Sequence, residues 1–504
     1  MSALRLTPLI LAVALFMENM DSTVIATSLA AIAHDIGTEP IALKLALTTY
    51  MVALAIFIPI SSWMADKFGA KRVFAWAIVV FMVGSVCCAI SDSLLTFVLS
   101  RFLQGMGGAL MTPVARLVLV RVTPRQQLVD AMAWLSIPGL VGPIVGPPIG
   151  GFITTFASWH WIFLINVPIG ILGIILVNKY LPEWHRNEPR KMDFTGFLLA
   201  GLCFAGLVFG ISVLTLPALP ASFGYGSLFL GVVAAVAYWF HFRRTEYPLL
   251  DLRIFRQPLF RLTMIGGTIF RLGTGAMPFL FPLMLQLAFG LNPFESGMVT
   301  FASAVGAFTM KFMAERFIAR LGFRKALVIA CTITAGGVLA MGLYTPDTPT
   351  PLMLALLVVT GFFQSLFWTT TNAFIFADVA DKDAGQANVL SQVSVQLSLA
   401  FGVAIGGGIF EGAHLLHGGT PDLNDFHIAF WVMATLTLIS ALIFLRVPKS
   451  ANMHSFVIRL SAKRMISGPT TAQSNGSRWH TGGLSAVRTH AAASSRTLCV
   501  SSPS

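Results

Sequence analysis

Charged residues are scarce in this chain. Asp, Glu, Lys and Arg make up 11% of its 504 residues, whereas a soluble globular domain typically has about 25%. Hydrophobic residues reach 56%, and they form runs of the roughly 20 residues that a helix needs to cross a bilayer. The scarcity of charge excludes a soluble globular domain and predicts an all-α polytopic membrane protein.

The motifs of several enzyme and pump classes are also missing. The five cysteines show no metal-binding or redox spacing, and the chain has no phosphate-binding loop, zinc motif or nucleophile elbow. We therefore expect no catalytic residue, no metal site and no cofactor. An ATP-driven pump would need a soluble nucleotide-binding domain, and no segment of this sequence has the composition of one.

Fourteen apolar segments are long enough to cross a bilayer. They cover residues 8–33, 44–65, 73–91, 94–118, 130–156, 161–181, 195–216, 222–241, 262–289, 296–318, 326–344, 352–375, 388–412 and 427–447. Basic residues fall mainly in the loops after even-numbered segments, such as Lys71 and Arg72 after the second and Arg324 and Lys325 after the tenth. By the positive-inside rule, both chain ends are expected on the cytoplasmic side. The net charge of +12 suits such loops, and it gives no reason to expect nucleic-acid binding.

A weak internal repeat suggests how the chain is divided. Residues 68–72 and 321–325 each contain a glycine that is followed by two adjacent cations. The repeat predicts matching six-helix bundles at 1–185 and 262–449, with two inserted transmembrane helices in 186–261. Repeated halves around a site in mid-membrane are typical of secondary transporters. Residues 450–504 are polar and carry six basic residues and no acid, so we expect a disordered basic cytoplasmic tail.

Residues 138–151, with the sequence PGLVGPIVGPPIGG, combine glycine and proline within an apolar run. Gly139, Gly142, Gly146 and Gly150 share one face of a helix. In lipid, such a helix is stable only when it packs closely against its neighbours. We expect a helix that is pressed tightly to a partner and bent at its prolines. Small-residue packing without a further role is the simpler alternative.

Glu18, Asp21 and Glu411 are the carboxylates that lie well inside the predicted spans. An ionisable group at membrane depth is expensive, which makes it a functional candidate. Glu18 and Asp21 share a helix face, and two close carboxylates in a low dielectric disfavour double ionisation, so one could hold a proton near neutral pH. Permanent pairing with a cation is the alternative for both. Glu411 lies near the outer end of its helix, and we expect it at the surface.

Two arginines inside the predicted spans are further candidates. Arg271 lies midway along the ninth span, where it could neutralise Asp21 across a cavity, attract an anionic substrate or form a purely structural pair. Arg101 precedes Gln104 in a glycine-rich stretch, so it could face the interior and hold a proton pathway together. An arginine that extends to the membrane interface is the alternative for Arg101.

Five strings resemble sequence motifs of the major facilitator superfamily, and more narrowly of its fourteen-helix drug:proton antiporter branch. They are MDSTVI at 20–25, ADKFGAKR at 65–72, RFLQGMGG at 101–108, the glycine-proline stretch at 142–151 and SWHWIFLINVP at 158–168. The resemblance covers about residues 8–450. Ser62 stands where the family's loop motif usually has glycine, and we expect the latch that this motif implies to tolerate serine there. Residues 26–30 depart from the family's first-helix motif, although Asp21 is present.

The resemblance implies roles for particular residues. It implies that Asp21 handles the proton or cation and that the 101–108 string takes part in proton transfer. It implies a cytoplasmic latch between the halves, formed by Asp66, Gly69, Lys71 and Arg72. It implies an antiporter helix marked by Gly142, Pro143, Gly146, Gly150 and Gly151.

Together these features predict a proton-coupled exporter that works by alternating access in the bacterial inner membrane. Asp21, Glu18 and Arg101 would couple protons, and Asp21, Gln104 and Arg271 would line a cavity for small amphipathic, cationic or drug-like substrates. An exporter of an anionic or sugar-like metabolite or a siderophore is one alternative. A membrane sensor or scaffold that transports nothing is another. The expected partners are the substrate, protons and the lipid bilayer, with envelope-spanning efflux proteins as a further option.

Overall fold

The computed structural model describes residues 3–124, 127–183, 191–214, 216, 220–380, 383–417 and 422–448. All regular secondary structure in these residues is helical. The helices are α1 Ala3–Val24, α2 Leu29–Asp35, α3 Lys44–Phe57, α4 Ser61–Phe68, α5 Ala70–Ala89, α6 Leu94–Val122, α7 Leu128–Phe156, α8 His160–Leu164, α9 Asn166–Tyr180, α10 Phe194–Leu214, α11 Ala221–Arg244, α12 Pro258–Gly275, α13 Met277–Leu287, α14 Pro293–Met341, α15 Thr350–Phe374, α16 Ala384–His417 and α17 Leu423–Phe444. The predicted disordered tail at 450–504 lies outside the described residues.

Thirteen helical segments of the described chain are long and apolar enough to cross a membrane. One of them, α14, contains the tenth predicted span and most of the eleventh. Its 49 residues would measure about 74 Å as a straight helix, more than twice the roughly 30 Å of a hydrocarbon core. Gly322 interrupts it with φ 72° and ψ 166°, so α14 holds two spans. The prediction of an all-α protein with fourteen spans is confirmed.

Four of the predicted spans consist of more than one helix, and the sixth is divided into α8 and α9 at Ile165. The first is α1, a 3-10 turn at Ile25–Thr27, and α2, while the second is α3, a turn at Ile58–Ile60, and α4. The ninth breaks between α12 and α13, where Pro278 lies in the first turn of α13. Broken helices are stable at membrane depth when neighbouring protein surrounds the break.

The glycine stripe of α7 packs against α1. A methyl group added at Gly142 would lie 2.9 Å from the backbone nitrogen of Met20, and one added at Gly150 would lie 2.4 Å from the carbonyl oxygen of Val24. Gly151 faces the other way, where a methyl group would lie 2.3 Å from the carbonyl oxygen of Pro293 in α14. The stripe therefore lets α7 approach α1 closely, and Gly151 allows a similar approach to α14 on the other side.

Two groups of helices, at residues 3–183 and 258–448, meet along α7 with α14 and along α3 with α16. We call the end of the bundle that carries Lys71, Arg72 and Arg121 the basic face, and the opposite end the far face. Near the far face Gln286 donates a hydrogen bond of 3.0 Å to the carbonyl oxygen of Thr27. The helices between the groups also bridge them, because α10 packs against both α3 and α16, and α11 packs on α10.

The two glycines of the internal repeat share an unusual backbone conformation. Gly69, between α4 and α5, has φ 92°, and Gly322 has φ 72°. Residues with a side chain rarely adopt this region, so glycine is required for both turns. The sequence pattern at 68–72 and 321–325 thus corresponds to the same local geometry.

Candidate functional site

Asp21 and Arg101 form a buried ion pair near the middle of the first group of helices. Arg101 Nη1 donates a hydrogen bond of 2.7 Å to Asp21 Oδ2. Asp21 lies on α1 and Arg101 on α6, so the pair joins two helices. Of the alternatives that the sequence left open for Arg101, the structure shows the interior-facing one.

Three further polar side chains complete a network around Asp21. Gln104 Nε2 and Asn166 Nδ2 each donate to Asp21 Oδ1, both at 2.8 Å. Ser85 accepts hydrogen bonds from Gln104 at 2.8 Å and from Asn166 at 3.3 Å, and the Gln104 side-chain oxygen accepts one from Arg101. The network connects α1, α5, α6 and α9, and it holds the carboxylate in one orientation.

Aromatic rings cover the Arg101 guanidinium. Its centre lies 4.3 Å from the ring centroid of Tyr50 and 5.9 Å from that of Phe163. A cation over the face of an aromatic ring is stabilised by the quadrupole of the ring, more strongly when water is excluded. The two rings therefore help to fix the position of the guanidinium, in addition to its hydrogen bonds to Asp21 and Gln104.

Glu18 lies in a different environment from Asp21. Its Oε2 accepts a hydrogen bond of 2.8 Å from Thr112, and it interacts electrostatically with Arg116 and Asp21. Glu18, Tyr50 and Arg101 line a cavity of about 280 Å³ between the two groups of helices. The predicted carboxylate pair is thus divided into a buried member and a member at a cavity wall.

The expected substrate residues do not converge on one cavity in this structure. Asp21 and Gln104 are buried behind Arg101. Arg271 is not the counter-charge of Asp21, because Arg101 occupies that position. The suggestion that Arg271 neutralises Asp21 across the cavity is therefore corrected by the geometry.

Arg271 has uncharged neighbours. Its Nε donates to Ser398 Oγ at 2.8 Å and its Nη2 to Ser394 Oγ at 3.3 Å. The guanidinium also lies 5.6 Å from the ring centroid of Trp368. These contacts place a buried positive charge among α12, α15 and α16.

Glu411 is buried, and the expectation that it lies at the surface was wrong. It is 2% exposed and interacts electrostatically with Lys44, which is 0% exposed. The stem of Lys44 lies against Gly407, one helical turn before Glu411. Lys44 begins α3 and Glu411 is near the end of α16, so these opposite charges meet between the two groups near the far face.

The residues of the predicted latch lie at the basic face. Asp66 Oδ1 accepts a hydrogen bond of 2.6 Å from Arg121. Lys71 donates to the Asn178 carbonyl at 2.9 Å, and Arg72 forms an exposed ion pair with Glu183 at 3.3 Å. These contacts stay within the first group of helices. Asp66 also lines a cavity of about 360 Å³ together with Gln386 at the start of α16, which places the motif beside the other group.

The glycine-proline helix borders a second small cavity. Pro143 and Pro147 of α7 line a space of about 170 Å³ together with Thr300 of α14 and Gln364 of α15. Thr23 of α1 lines both this space and the cavity at Glu18. The stretch 142–151 thus lies against α1, α14 and the space between the two groups.

Several contributors to the site were missed by sequence reasoning. Asn166 lies in the string at 158–168 but was assigned no role. Ser85, Ser394 and Ser398 are ordinary serines in apolar segments, and no sequence signal distinguishes them. A group of His, Cys, Asp or Glu side chains that could hold a metal ion is absent from the described part of the chain.

Comparisons with known proteins agree with this architecture. A family model described as Major Facilitator Superfamily matches residues 11–243 and 263–477. "Putative multidrug resistance protein MdtD" of Yersinia pestis (strain Pestoides F) is 35% identical over 451 residues, covering 88% of this chain and 97% of the relative.

Solved structures show the same fold at much lower sequence identity. The crystal structure of a D-xylose-proton symporter has a TM-score of 0.65 at 13% identity, covering 88% of this chain and 98% of that one. A POT family transporter in complex with a thioalcohol-conjugated peptide has a TM-score of 0.66 at 15% identity, covering 88% and 96% of the respective chains. At these identities the likeness extends to the fold alone.

Proposed function

Because this chain belongs to the Major Facilitator Superfamily, whose members are membrane transporters rather than enzymes, we propose that it is a proton-coupled exporter that works by alternating access. The chain is a multi-pass membrane protein. Its cargo is a small molecule, and the proposal concerns how that cargo is moved. The relative MdtD carries a name that refers to multidrug resistance, which favours amphipathic, drug-like substrates here.

The observation that carries the proposal is the buried network around Asp21. A charged carboxylate and a charged guanidinium at membrane depth are expensive to keep, and they mark ion and proton pathways. Here the pair is adjacent to a second carboxylate, Glu18, at the wall of a cavity between the two groups of helices. In this arrangement Glu18 is a carboxylate that a molecule in the cavity can reach. The Asp21–Arg101 pair lies next to it, so the protonation of Glu18 changes the electrostatic field at that pair.

The proposed coupling step is a change in charge balance. A proton that binds to Glu18 or Asp21 removes one negative charge. The positive charge of Arg101 is then less fully compensated by its surroundings. A buried charge that loses its partner is strongly destabilised. The arrangement of helices that best compensates the charge of Arg101 therefore differs between the protonated and the deprotonated protein. The equilibrium between the two arrangements shifts by the difference in their affinity for the proton.

We propose the corresponding topology as well. The halves would be residues 1–185 and 262–449, the inserted pair would lie in 186–261, and the basic face would be cytoplasmic by the positive-inside rule. Asp66, Gly69, Lys71 and Arg72 would form the latch when the halves close at that face. The membrane would be the bacterial inner membrane, where envelope-spanning efflux proteins are a further kind of partner.

A second candidate function is export of an anionic metabolite, and one observation favours it. Arg271 is buried in the carboxyl-terminal group, and its hydrogen-bond acceptors are serine hydroxyls rather than a carboxylate. A cation in such surroundings suits an anionic substrate.

The test of the proposed function is flux. Purified protein is reconstituted in liposomes that hold a pH gradient and a trapped pH-sensitive dye, and cationic dyes or organic anions are added. Substrate-dependent dissipation of the gradient that disappears in Asp21→Asn and Glu18→Gln supports proton-coupled export. Substrate flux at the wild-type rate in both variants would reject the proton role of these residues.

A further inference from the structure

Three cationic side chains of the described chain are almost completely buried. Lys44, Arg101 and Arg271 are 0%, 1% and 3% exposed. Arg101 is paired with Asp21, and Lys44 interacts electrostatically with Glu411. In the described residues Arg271 forms no ion pair and has no electrostatic interaction with an acid. A buried charge without an opposite charge is strongly unfavourable, so Arg271 calls for an explanation that the other two do not.

The neighbours of Arg271 are hydroxyl groups. Ser398 and Ser394 accept its hydrogen bonds at 2.8 and 3.3 Å. Ser394 also shares a hydrogen bond of 3.0 Å with Thr268, one turn before Arg271 on α12. Hydroxyl groups satisfy the N–H donors of a guanidinium, but they do not neutralise its charge.

These hydroxyls lie at the wall of a cavity. Thr268, Ser394 and Ser398 line a space of about 400 Å³ between α10, α12 and α16, and the rest of its described lining is apolar, including Phe204 and Phe401. Pockets for small molecules usually combine an apolar lining with a few convergent polar groups. This cavity has that composition, and a buried cation lies directly behind its polar groups.

We propose that this cavity binds an organic anion whose carboxylate lies at Ser394, Ser398 and Arg271 and whose apolar or aromatic body packs against α10, α12 and α16. The inference rests on the second candidate function above, export of an anionic metabolite, and names the site and the shape of that substrate. A serine hydroxyl can donate as well as accept. Ser398 already donates its hydroxyl hydrogen to the Ser394 carbonyl, whereas the bond between Ser394 and Thr268 can run in either direction. Ser394 can therefore donate to an entering carboxylate, with the guanidinium charge behind it. Hydrogen bonds to an ionised group are stronger than those between neutral groups.

The inserted helix α10 has a part in this site. Phe204 of α10 lines the cavity together with the hydroxyls of α12 and α16. The described lining therefore combines a residue of α10 with residues of the carboxyl-terminal group. A ligand of this shape needs one charged end and one apolar end, which distinguishes it from a small hydrophilic anion.

Equilibrium binding to the purified full-length protein tests the inference. Naphthoate, an aromatic carboxylate, is titrated into protein held in phosphatidylcholine nanodiscs, and naphthamide serves as its uncharged counterpart. We expect naphthoate to bind the wild-type protein at least about tenfold more tightly than naphthamide does. Equal affinity of the two ligands would overturn the proposal, and this comparison requires no variant to fold.

Variants then locate the site. Arg271→Gln should weaken naphthoate binding about tenfold or more while leaving naphthamide binding unchanged, and Arg271→Lys should fall between, since an ammonium keeps the charge and loses the planar fork. Lys311→Gln is the matched control, because it removes a cation of the same group that donates to Thr369 instead. Equal losses in Arg271→Gln and Lys311→Gln would show a general effect of net charge and reject the site.

A last comparison separates a soluble anion from a lipid headgroup. Naphthoate binding is repeated in nanodiscs that contain phosphatidylglycerol. Unchanged affinity supports a soluble anion, whereas abolished binding assigns the site to a lipid phosphate and overturns the proposal. No gradient is used in these measurements. Loss of coupled flux with intact naphthoate binding would therefore reject the proposed function alone, and coupled flux without naphthoate binding would reject this site alone.

Discussion

The Arg101 guanidinium donates a hydrogen bond to the Asp21 carboxylate across 2.7 Å, and both side chains are buried. The pair ties α1 to α6. Because α1 also carries the contacts with the glycine stripe of α7, a change in the charge of Asp21 acts on a helix that is packed tightly to two others. The geometry thus links a single titratable group to the packing of the first helical group.

Asp21→Asn should destabilise the protein because it leaves Arg101 buried without its counter-charge. Breaking a buried pair by removal of one partner costs about 3–5 kcal/mol. Asp21→Asn/Arg101→Gln should lose less than the sum of the two single losses, since neither charge remains unpaired. Thermal unfolding of the purified variants measures this coupling, and strictly additive losses would mean that the pair is not energetically connected.

Glu18→Gln should weaken the binding of monovalent cationic dyes by about tenfold, since Coulomb attraction across a partly screened cavity is worth one to several kcal/mol. Glu18 is the acidic residue in the described lining of the cavity between the groups. Binding of a neutral dye of similar shape should not change. Glu315→Gln, the same substitution at an exposed position of α14, is the control. Equal losses for both dyes would indicate a change of cavity shape rather than of charge.

Gly150→Ala should lower the thermal stability by about 1–3 kcal/mol, the usual cost of overpacking. The added methyl group would lie 2.4 Å from the Val24 carbonyl, which cannot move without displacing α1. Gly139→Ala on the same helix face is the matched control, because its methyl group would meet the Asn19 and Leu15 side chains at ordinary distances of 3.7 and 4.0 Å. The midpoints of thermal unfolding should separate the two variants, and equal midpoints would contradict the close packing of α7 on α1.

Much of the fold was predictable because bilayer thickness constrains the sequence directly. Long apolar runs and the alternation of basic loops gave fourteen spans, including the turn at Gly322 that divides α14. The glycine spacing at 142–150 also predicted close packing, since only a bare backbone permits it. These features depend on local pattern, and a single sequence contains the whole pattern.

The pairing of charges was less predictable because it depends on which helices are neighbours. Asp21 and Arg101 were both recognised as candidates, but Arg271 was the arginine suggested as the counter-charge of Asp21. Glu411 was expected at the surface from its place near a helix end. The structure buries it because Lys44, from a helix of the other group, covers that position. The position of a residue within its own helix does not show which side chains of a neighbouring helix pack against it.

The last prediction concerns that covered position. Lys44 begins α3 and inserts its stem against Gly407 of α16, so its charge reaches Glu411 one turn further on. Glu39, His414 and Asp425 also interact electrostatically with Glu411. The two helices belong to different groups, and near the same face Gln286 bonds to Thr27. The Lys44–Glu411 attraction should therefore stabilise the arrangement in which the groups are joined at the far face.

Glu411→Gln should shift the population toward an arrangement that is open at the far face. Without the Glu411 charge, the Lys44 ammonium is more stable in water than in its buried position. The measurement is labelling of Ser22→Cys, at the wall of the cavity between the groups, with a membrane-impermeant thiol reagent applied from each side. We expect labelling from the far face to rise several-fold in Glu411→Gln, because about 1 kcal/mol of lost attraction changes a two-state population about fivefold. Lys44→Met/Glu411→Gln should return toward the parent level, as no buried charge of the pair remains. If the single and double variants are labelled as slowly as the parent, the pair does not hold the far face together, and hydrogen bonding and helix packing alone account for its closure.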